Sequence, residues 1–246
     1  MVRYQLLVEY VGTNFRGWQI QKKDSTIQGL IQEKLTSLLK EKIILNGSGR
    51  TDTGVHAIEQ SAHFDCKNKI VDLSKFLKSI NHFLNDKGIA ITGVKKRSNK
   101  FHSRFSAKQR IYRYVIFNQI STPVIEKNRG WHVRKPLDLK LVKKGAKKLL
   151  GTNDYSTFRS SSCHAKSPIK TIKSIKIKSK YNKIEIEFKS QSFLQQQVRS
   201  MVGCLKYLGE KRWDLKTFER VFKLKKRLLC APPAPPEGLF LVRVIY

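Results

Sequence analysis

The run Gly47-Ser48-Gly49-Arg50-Thr51-Asp52-Thr53-Gly54-Val55-His56-Ala57 sets one acid, Asp52, among small residues and two positions after Arg50. Glycine reaches backbone angles closed to other residues and lets a ligand approach the main chain. Loops of this kind, carried on a rigid scaffold, are where reacting groups are commonly placed. Three tasks suit the acid. It could cap a helix or a turn, the usual work of Asp near glycines. It could ligate a metal, but that would want further carboxylates, and the neighbouring sequence offers none. It could act as a nucleophile, and would then need a cation to hold it ionised.

Two other segments carry groups that could work with such an acid. Arg110-Ile111-Tyr112-Arg113-Tyr114 alternates basic and aromatic side chains. On a strand, period-two geometry puts Tyr112 and Tyr114 on one face, with Arg110 and Arg113 on opposite faces. A tyrosine facing a cleft is a platform for an unstacked base, a contact worth about 1–3 kcal/mol. Burial in the core is the competing role, and for Tyr114 the preferred one. The second segment, Phe193-Leu194-Gln195-Gln196-Gln197-Val198-Arg199-Ser200-Met201-Val202-Gly203, sets Arg199 among Leu194, Val198, Met201 and Val202. A charge buried there without a partner would be costly. A carboxylate such as Asp52 would satisfy it and be held as an anion in return; solvation at the helix edge is the alternative. Ala231-Pro232-Pro233-Ala234-Pro235-Pro236-Glu237-Gly238-Leu239 reads as a rigid connector.

The elements that must position these residues follow from periodicity. Residues 3–10 read as an opening strand. Asp24-Ser25-Thr26 starts a helix with Ile27, Leu30, Ile31, Leu35, Leu38 and Leu39 at helical spacing. After the Asp52 loop come a strand over Ser61–Phe64, a helix over Leu73–Leu84 and a strand over Ile89–Val94. The order then starts again: a strand at Arg110–Phe117, a helix over Leu137–Leu150, and a hairpin of Ile172–Ser179 with Lys183–Lys189 across Tyr181-Asn182. Helices over Phe193–Leu208 and Leu215–Phe222 and a closing strand at Leu239–Ile245 complete it. The expectation is an α+β chain of two ferredoxin-like α/β halves, residues 1–106 and 107–246, with a cleft between them. The duplication rests on element order; no clean sequence repeat is present.

Composition narrows the partners. The 246 residues carry 50 Lys and Arg against 18 Asp and Glu, a formal charge of +32. Such an excess repels itself unless a polyanion relieves it, which points to nucleic acid. Apolar content of 40% excludes disorder as the default, and no apolar run is long enough to span a bilayer. Cys66, Cys163, Cys204 and Cys230 form no C-x-x-C pair, and no His stands at metal-ligand spacing. With Met1 leading straight into the strand-like residues 3–10, reduced thiols in a cytoplasmic setting are expected.

Taken together, these segments resemble the tRNA pseudouridine synthase A family over nearly the whole chain. The resemblance is carried by Glu9-Tyr10-Val11-Gly12-Thr13-Asn14-Phe15-Arg16-Gly17-Trp18-Gln19, the Asp52 loop, and Phe101-His102-Ser103-Arg104-Phe105-Ser106-Ala107 leading into Tyr112. Asp154-Tyr155-Ser156-Thr157-Phe158-Arg159, the Arg199 helix and the proline-rich approach to Glu237-Gly238-Leu239 complete it. It implies the pseudouridine-synthase fold with a central antiparallel sheet, Asp52 as nucleophile, Tyr112 stacked on the target uracil, Arg199 as the basic partner of the acid, and Arg50 helping to hold a flipped-out nucleotide. It further implies isomerisation of uridine in the tRNA anticodon stem-loop, at positions 38 to 40, by a homodimer without cofactor or metal. Val11 stands where the family commonly has Asp, and Gln195 and Gln196 stand where bacterial members commonly have His. Ser48 and Thr53 replace alanines of the nucleophile loop. Two alternatives stay open: a member with a different RNA target, and a non-catalytic RNA-binding factor on the same fold.

Overall fold

The computed structural model describes residues 1–22 and 24–246. The chain forms two compact units, one of residues 1–108 with 240–246 and one of residues 109–239. Both are mixed α/β, built on a multi-stranded and largely antiparallel sheet.

In the first unit, β1 (Val2–Tyr10) lies between β3 (His56–Cys66) and β4 (Ile89–Arg97), antiparallel to both. Its Tyr4, Leu6, Val8 and Tyr10 are buried, the period-two pattern of a strand with one face on the core. Helix α1 (Ile27–Leu39) starts where Thr26 accepts a hydrogen bond from the Gly29 amide, and it buries Ile27, Ile31 and Leu35. Helix α2 (Leu73–Leu84) begins on Asp72, which accepts from the Lys75 amide, and buries Phe76, Ile80 and Leu84. A two-residue strand β2 (Asn46–Gly47) pairs with β3 just before the Asp52 loop. The closing strand β10 (Leu239–Ile245) joins this unit from residue 240 onward, with Phe240 and Leu241 running parallel to His56 and Ala57.

In the second unit, β5 (Gln109–Asn118), β9 (Lys183–Ser190), β8 (Ile169–Lys180) and β7 (Gly151–Asp154) form an antiparallel sheet in that order, with β6 (Trp131–Val133) parallel to β5. The β8–β9 hairpin closes through Tyr181-Asn182, Tyr181 taking the left-handed conformation that tight hairpin turns require. Helices α3 (Leu139–Lys148), α4 (Gln197–Gly209) and α5 (Leu215–Lys223) pack on one another, and α4 also packs on β5. Gly145 lets α3 approach α4 closely: a Cβ there would run into Leu208.

Periodicity places the helices and long strands well, with three differences. The strand expected at Ser61–Phe64 extends over His56–Cys66. The helix expected from Phe193 starts only at Gln197, because Gln196 is left-handed (φ 61°) and Gln197 Oε1 accepts from the Leu194 amide, tying off a turn. The short strands β2, β6 and β7 carry no periodicity that sequence alone could expose.

Candidate active site

Asp52 sits between β2 and β3, on backbone that belongs to no helix or sheet. The loop is fixed instead by bonds from both sides. The Ser48 amide donates to the Ser61 carbonyl (2.7 Å), and Gln60 Nε2 donates to the Gly49 carbonyl (3.0 Å). Tyr10 and Thr51 share a buried hydroxyl–hydroxyl bond of 2.7 Å, and the Trp18 amide donates to the Thr51 carbonyl (3.1 Å). Asp52 then opens a turn closed by the Val55 amide on its own carbonyl (3.2 Å). Gly54 sits third in that turn with φ 78°, the position where a type II turn demands a positive φ. Asp52 itself is half-buried.

The Gly12–Trp18 segment forms a cradle for this loop. Gly12 lies so close to the Val55 carbonyl that no side chain fits, and Gly17 (φ 89°) lies likewise against the Thr51 carbonyl. Gly47 rests on the Trp18 indole. The glycines here are therefore consumed by turn geometry and by packing of one segment on another. Arg50 is exposed, and its Nε donates to Gln19 Oε1 (3.2 Å), at the end of the same cradle.

Tyr112 and Arg199 belong to the second unit. Tyr112 faces Phe188 across the β5–β9 pair and is nearly buried. The Phe193 ring meets the Tyr112 ring edge-on at 5.2 Å. Phe193 lies in the segment ahead of α4 rather than inside the helix. Tyr114 is fully buried, as preferred from its sequence, and its hydroxyl donates to the Pro235 carbonyl (2.7 Å). Burial, reinforced by Glu237 against the opposing Arg199, pushes its phenol well above the ordinary range, so it stays a neutral donor.

Arg199 is half-buried on the first turn of α4. Its Nε donates to the Ala234 carbonyl (2.7 Å), while the Ala234 amide donates to the Arg199 carbonyl (2.9 Å). The reciprocal pair fixes the plane of the guanidinium. Gly203, one turn on, lies directly under the Pro232 carbonyl. The proline-rich segment is thus more than a connector: it clamps Arg199 and is itself anchored by Tyr114. Its two Pro-Pro pairs signal rigidity in the sequence, but nothing in them points to α4.

Arg50 and Asp52 thus share one loop, while Tyr112 and Arg199 share the second unit on elements that pack together. A family model described as tRNA pseudouridine synthase matches residues 6–106 and 146–246. The chain belongs to the tRNA pseudouridine synthase family. A tRNA pseudouridine synthase A of Pelagibacter ubique (strain HTCC1062) is 71% identical over 246 residues, 100% of each chain. One of Rhodospirillum rubrum is 37% identical over 244 residues, 99% of this chain and 87% of that one. The first family stretch contains the cradle and the Asp52 loop, and the second contains α4 and the proline clamp. Among the described residues no helix is long and apolar enough to cross a membrane.

Proposed function

We propose that this protein is an isomerase converting uridine to pseudouridine in tRNA, with Asp52 as its nucleophile and the anticodon stem-loop, at positions 38 to 40, as its target. The observation that carries the reading is half-buried Asp52 in a loop fixed from both sides by backbone and hydroxyl bonds. The full-length relationship to a protein named tRNA pseudouridine synthase A supports the substrate class.

The reaction breaks the N1–C1′ bond, turns the uracil, joins C5 to C1′ and removes the C5 proton. Asp52 serves either by direct attack or by assisting elimination at the ribose; both require an ionised, fixed carboxylate. Arg199 supplies the balancing cation. A uridine in a stem is reachable only when flipped out; Tyr112 then offers its ring to the base and Arg50 occupies the space left behind. The lysine-rich surface grips phosphates, so affinity falls steeply with salt. The active species is a homodimer in the cytoplasm that needs no cofactor.

The deciding measurement is release of C5 tritium from labelled tRNA. Wild type releases it and Asp52→Asn does not; no release from wild type, or equal release from the variant, removes the assignment. Tyr112→Ala loses turnover far more than tRNA affinity, and equal losses would make Tyr112 a binding residue only. Mapping pseudouridine in tRNA from a deletion strain tests the target, and sedimentation near 28.5 kDa would count against the dimer.

A further inference from the structure

From the end of β4 to the start of β5, residues 95–110 carry Lys95, Lys96, Arg97, Lys100, Arg104, Lys108 and Arg110 without a single acid. In the middle of this basic run Phe105 is 76% exposed. One exposed phenylalanine is unremarkable by itself, but this one is held in place. The His102 ring lies against the Phe105 ring at 4.4 Å with an interplanar angle of 36°, and the Arg104 guanidinium sits 5.6 Å from the Phe105 centroid. His102 Nδ1 accepts from the amides of Arg104 (3.1 Å) and Phe105 (3.4 Å). Ser106 closes the turn, its Oγ accepting from the His102 amide (3.0 Å) and its amide donating to the His102 carbonyl (2.9 Å).

The layer beneath is equally fixed. Ser103 is fully buried; its amide donates to His63 Nδ1 (3.2 Å) and its Oγ donates to the Asn46 carbonyl (2.6 Å). The His63 ring meets His102 edge-on at 4.6 Å, and the Tyr246 hydroxyl donates to the Ser103 carbonyl (2.8 Å). Asn46 opens β2, the strand that feeds the Asp52 loop. The exposed ring is therefore the outermost of three, and its base is bonded to the segment that carries the nucleophile.

We infer that Phe105, backed by His102 and flanked by Arg104, is a stacking platform for an unpaired base of the bound RNA, outside the reacting site. A rigid aromatic face within a basic, acid-free stretch is the pattern that sequence-tolerant single-strand contacts use. Asn46 pairs with His63 on β3, seven residues from His56, the strand's first residue after the Asp52 loop. His63 and His56 are thus about 23 Å apart along β3 at ~3.3 Å per residue, and the base assigned to the platform is a nucleotide other than the one isomerised. A second copy of the chain does not suit this face, because its Lys and Arg would meet their like.

The inference rests on the tRNA reading, and one set of measurements separates the two. Phe105→Ala, Phe105→Trp and wild type are compared for affinity to an unmodified tRNA transcript and for tritium release. The expected result for Phe105→Ala is a rise in Kd and KM of roughly 5- to 100-fold, the worth of one base on one ring. The loss falls on KM rather than kcat, the slope of log Kd against log salt is unchanged, and Phe105→Trp restores affinity. Wild-type Kd and KM in Phe105→Ala would overturn the platform while leaving the enzyme assignment standing. A changed sedimentation mass would also overturn it, as a contact between proteins. Weakened binding by Phe105→Ala in a protein whose wild type releases no tritium would keep the platform and remove the reaction.

Discussion

Asp52 is placed by backbone outside any helix or sheet, through bonds that reach it from β1, β3 and the Gly12–Trp18 segment; Arg199 is placed by the first turn of a thirteen-residue helix. The loop's position is a sum of contacts between segments far apart in the chain, each replaceable at the cost of some displacement. The helix carries its own hydrogen-bond ladder, and the proline clamp only orients the side chain that the ladder has already placed. A functional residue on the loop should therefore be sensitive to the contacts around it, and one on the helix should be tolerant of them. That contrast sets which substitutions damage turnover and which damage stability alone.

The largest effect that separates the two regions is expected from matched glycines. In Gly12→Ala the new methyl group would run into the Val55 carbonyl, and in Gly203→Ala it would run into the Pro232 carbonyl. In both cases the obstacle is backbone, so each variant should lose about 1–3 kcal/mol of stability by overpacking. Gly12→Ala pushes on the loop three residues from Asp52, and a shift near 1 Å lowers kcat by roughly 100-fold. Gly203→Ala moves the proline segment while α4 keeps Arg199, so its kcat falls by less than about tenfold. Denaturant titration and tritium release on the two variants test this. Equal kcat losses at equal stability would break the contrast.

A smaller version of the same test removes one hydroxyl on each side. Thr51→Val deletes the bond to Tyr10, and Tyr114→Phe deletes the bond to the Pro235 carbonyl. Each should lower stability by about 1 kcal/mol, the net worth of one hydrogen bond. Turnover should drop roughly tenfold in Thr51→Val, where the bond holds the residue next to Asp52, by the same dependence of rate on placement. It should drop less than about threefold in Tyr114→Phe. The reverse order would mean that the clamp, rather than the loop, limits the geometry.

The same division explains what the sequence discloses. Helix α2 is legible to the residue, because its cap at Asp72 and its stripe of Phe76, Ile80 and Leu84 are local signals. The start of α4 is not, because the left-handed Gln196 answers to a side-chain bond from Gln197 that periodicity does not encode. Asp52 stands out by its type and its glycines, yet the supports of its loop join residues as far as 41 positions apart. The Ala234 clamp on Arg199 spans 35 positions and leaves only prolines as its trace. Residue chemistry is read from the chain directly; the contacts that aim it are read only once the chain has folded.

Acid should act on the first unit before the second, with the smallest effect at working pH. His63 in the first unit is buried, and that burial, together with His102 and Arg3, lowers its pKa to about 4 against the opposing pull of Asp65. Its Nδ1 is occupied as the acceptor from the Ser103 amide, so the folded state keeps the ring neutral. The unfolded chain binds a proton near pH 6.5 and the folded one near 4, so stability is complete above about pH 6.5 and declines as pH falls between the two values. The loss by pH 6 is about 0.5–1 kcal/mol, and it grows to about 1–2 kcal/mol by pH 5. His63→Asn should be less stable at pH 7.5 but should flatten this part of the profile. Chemical denaturation of both proteins at pH 7.5, 6 and 5 measures it, and parallel profiles would place the acid sensitivity elsewhere. His63 supports the turn that presents Phe105, whereas the clamp on Arg199 is made through the Ala234 backbone. Protonation should thus loosen tRNA affinity through the first unit before it disturbs the second.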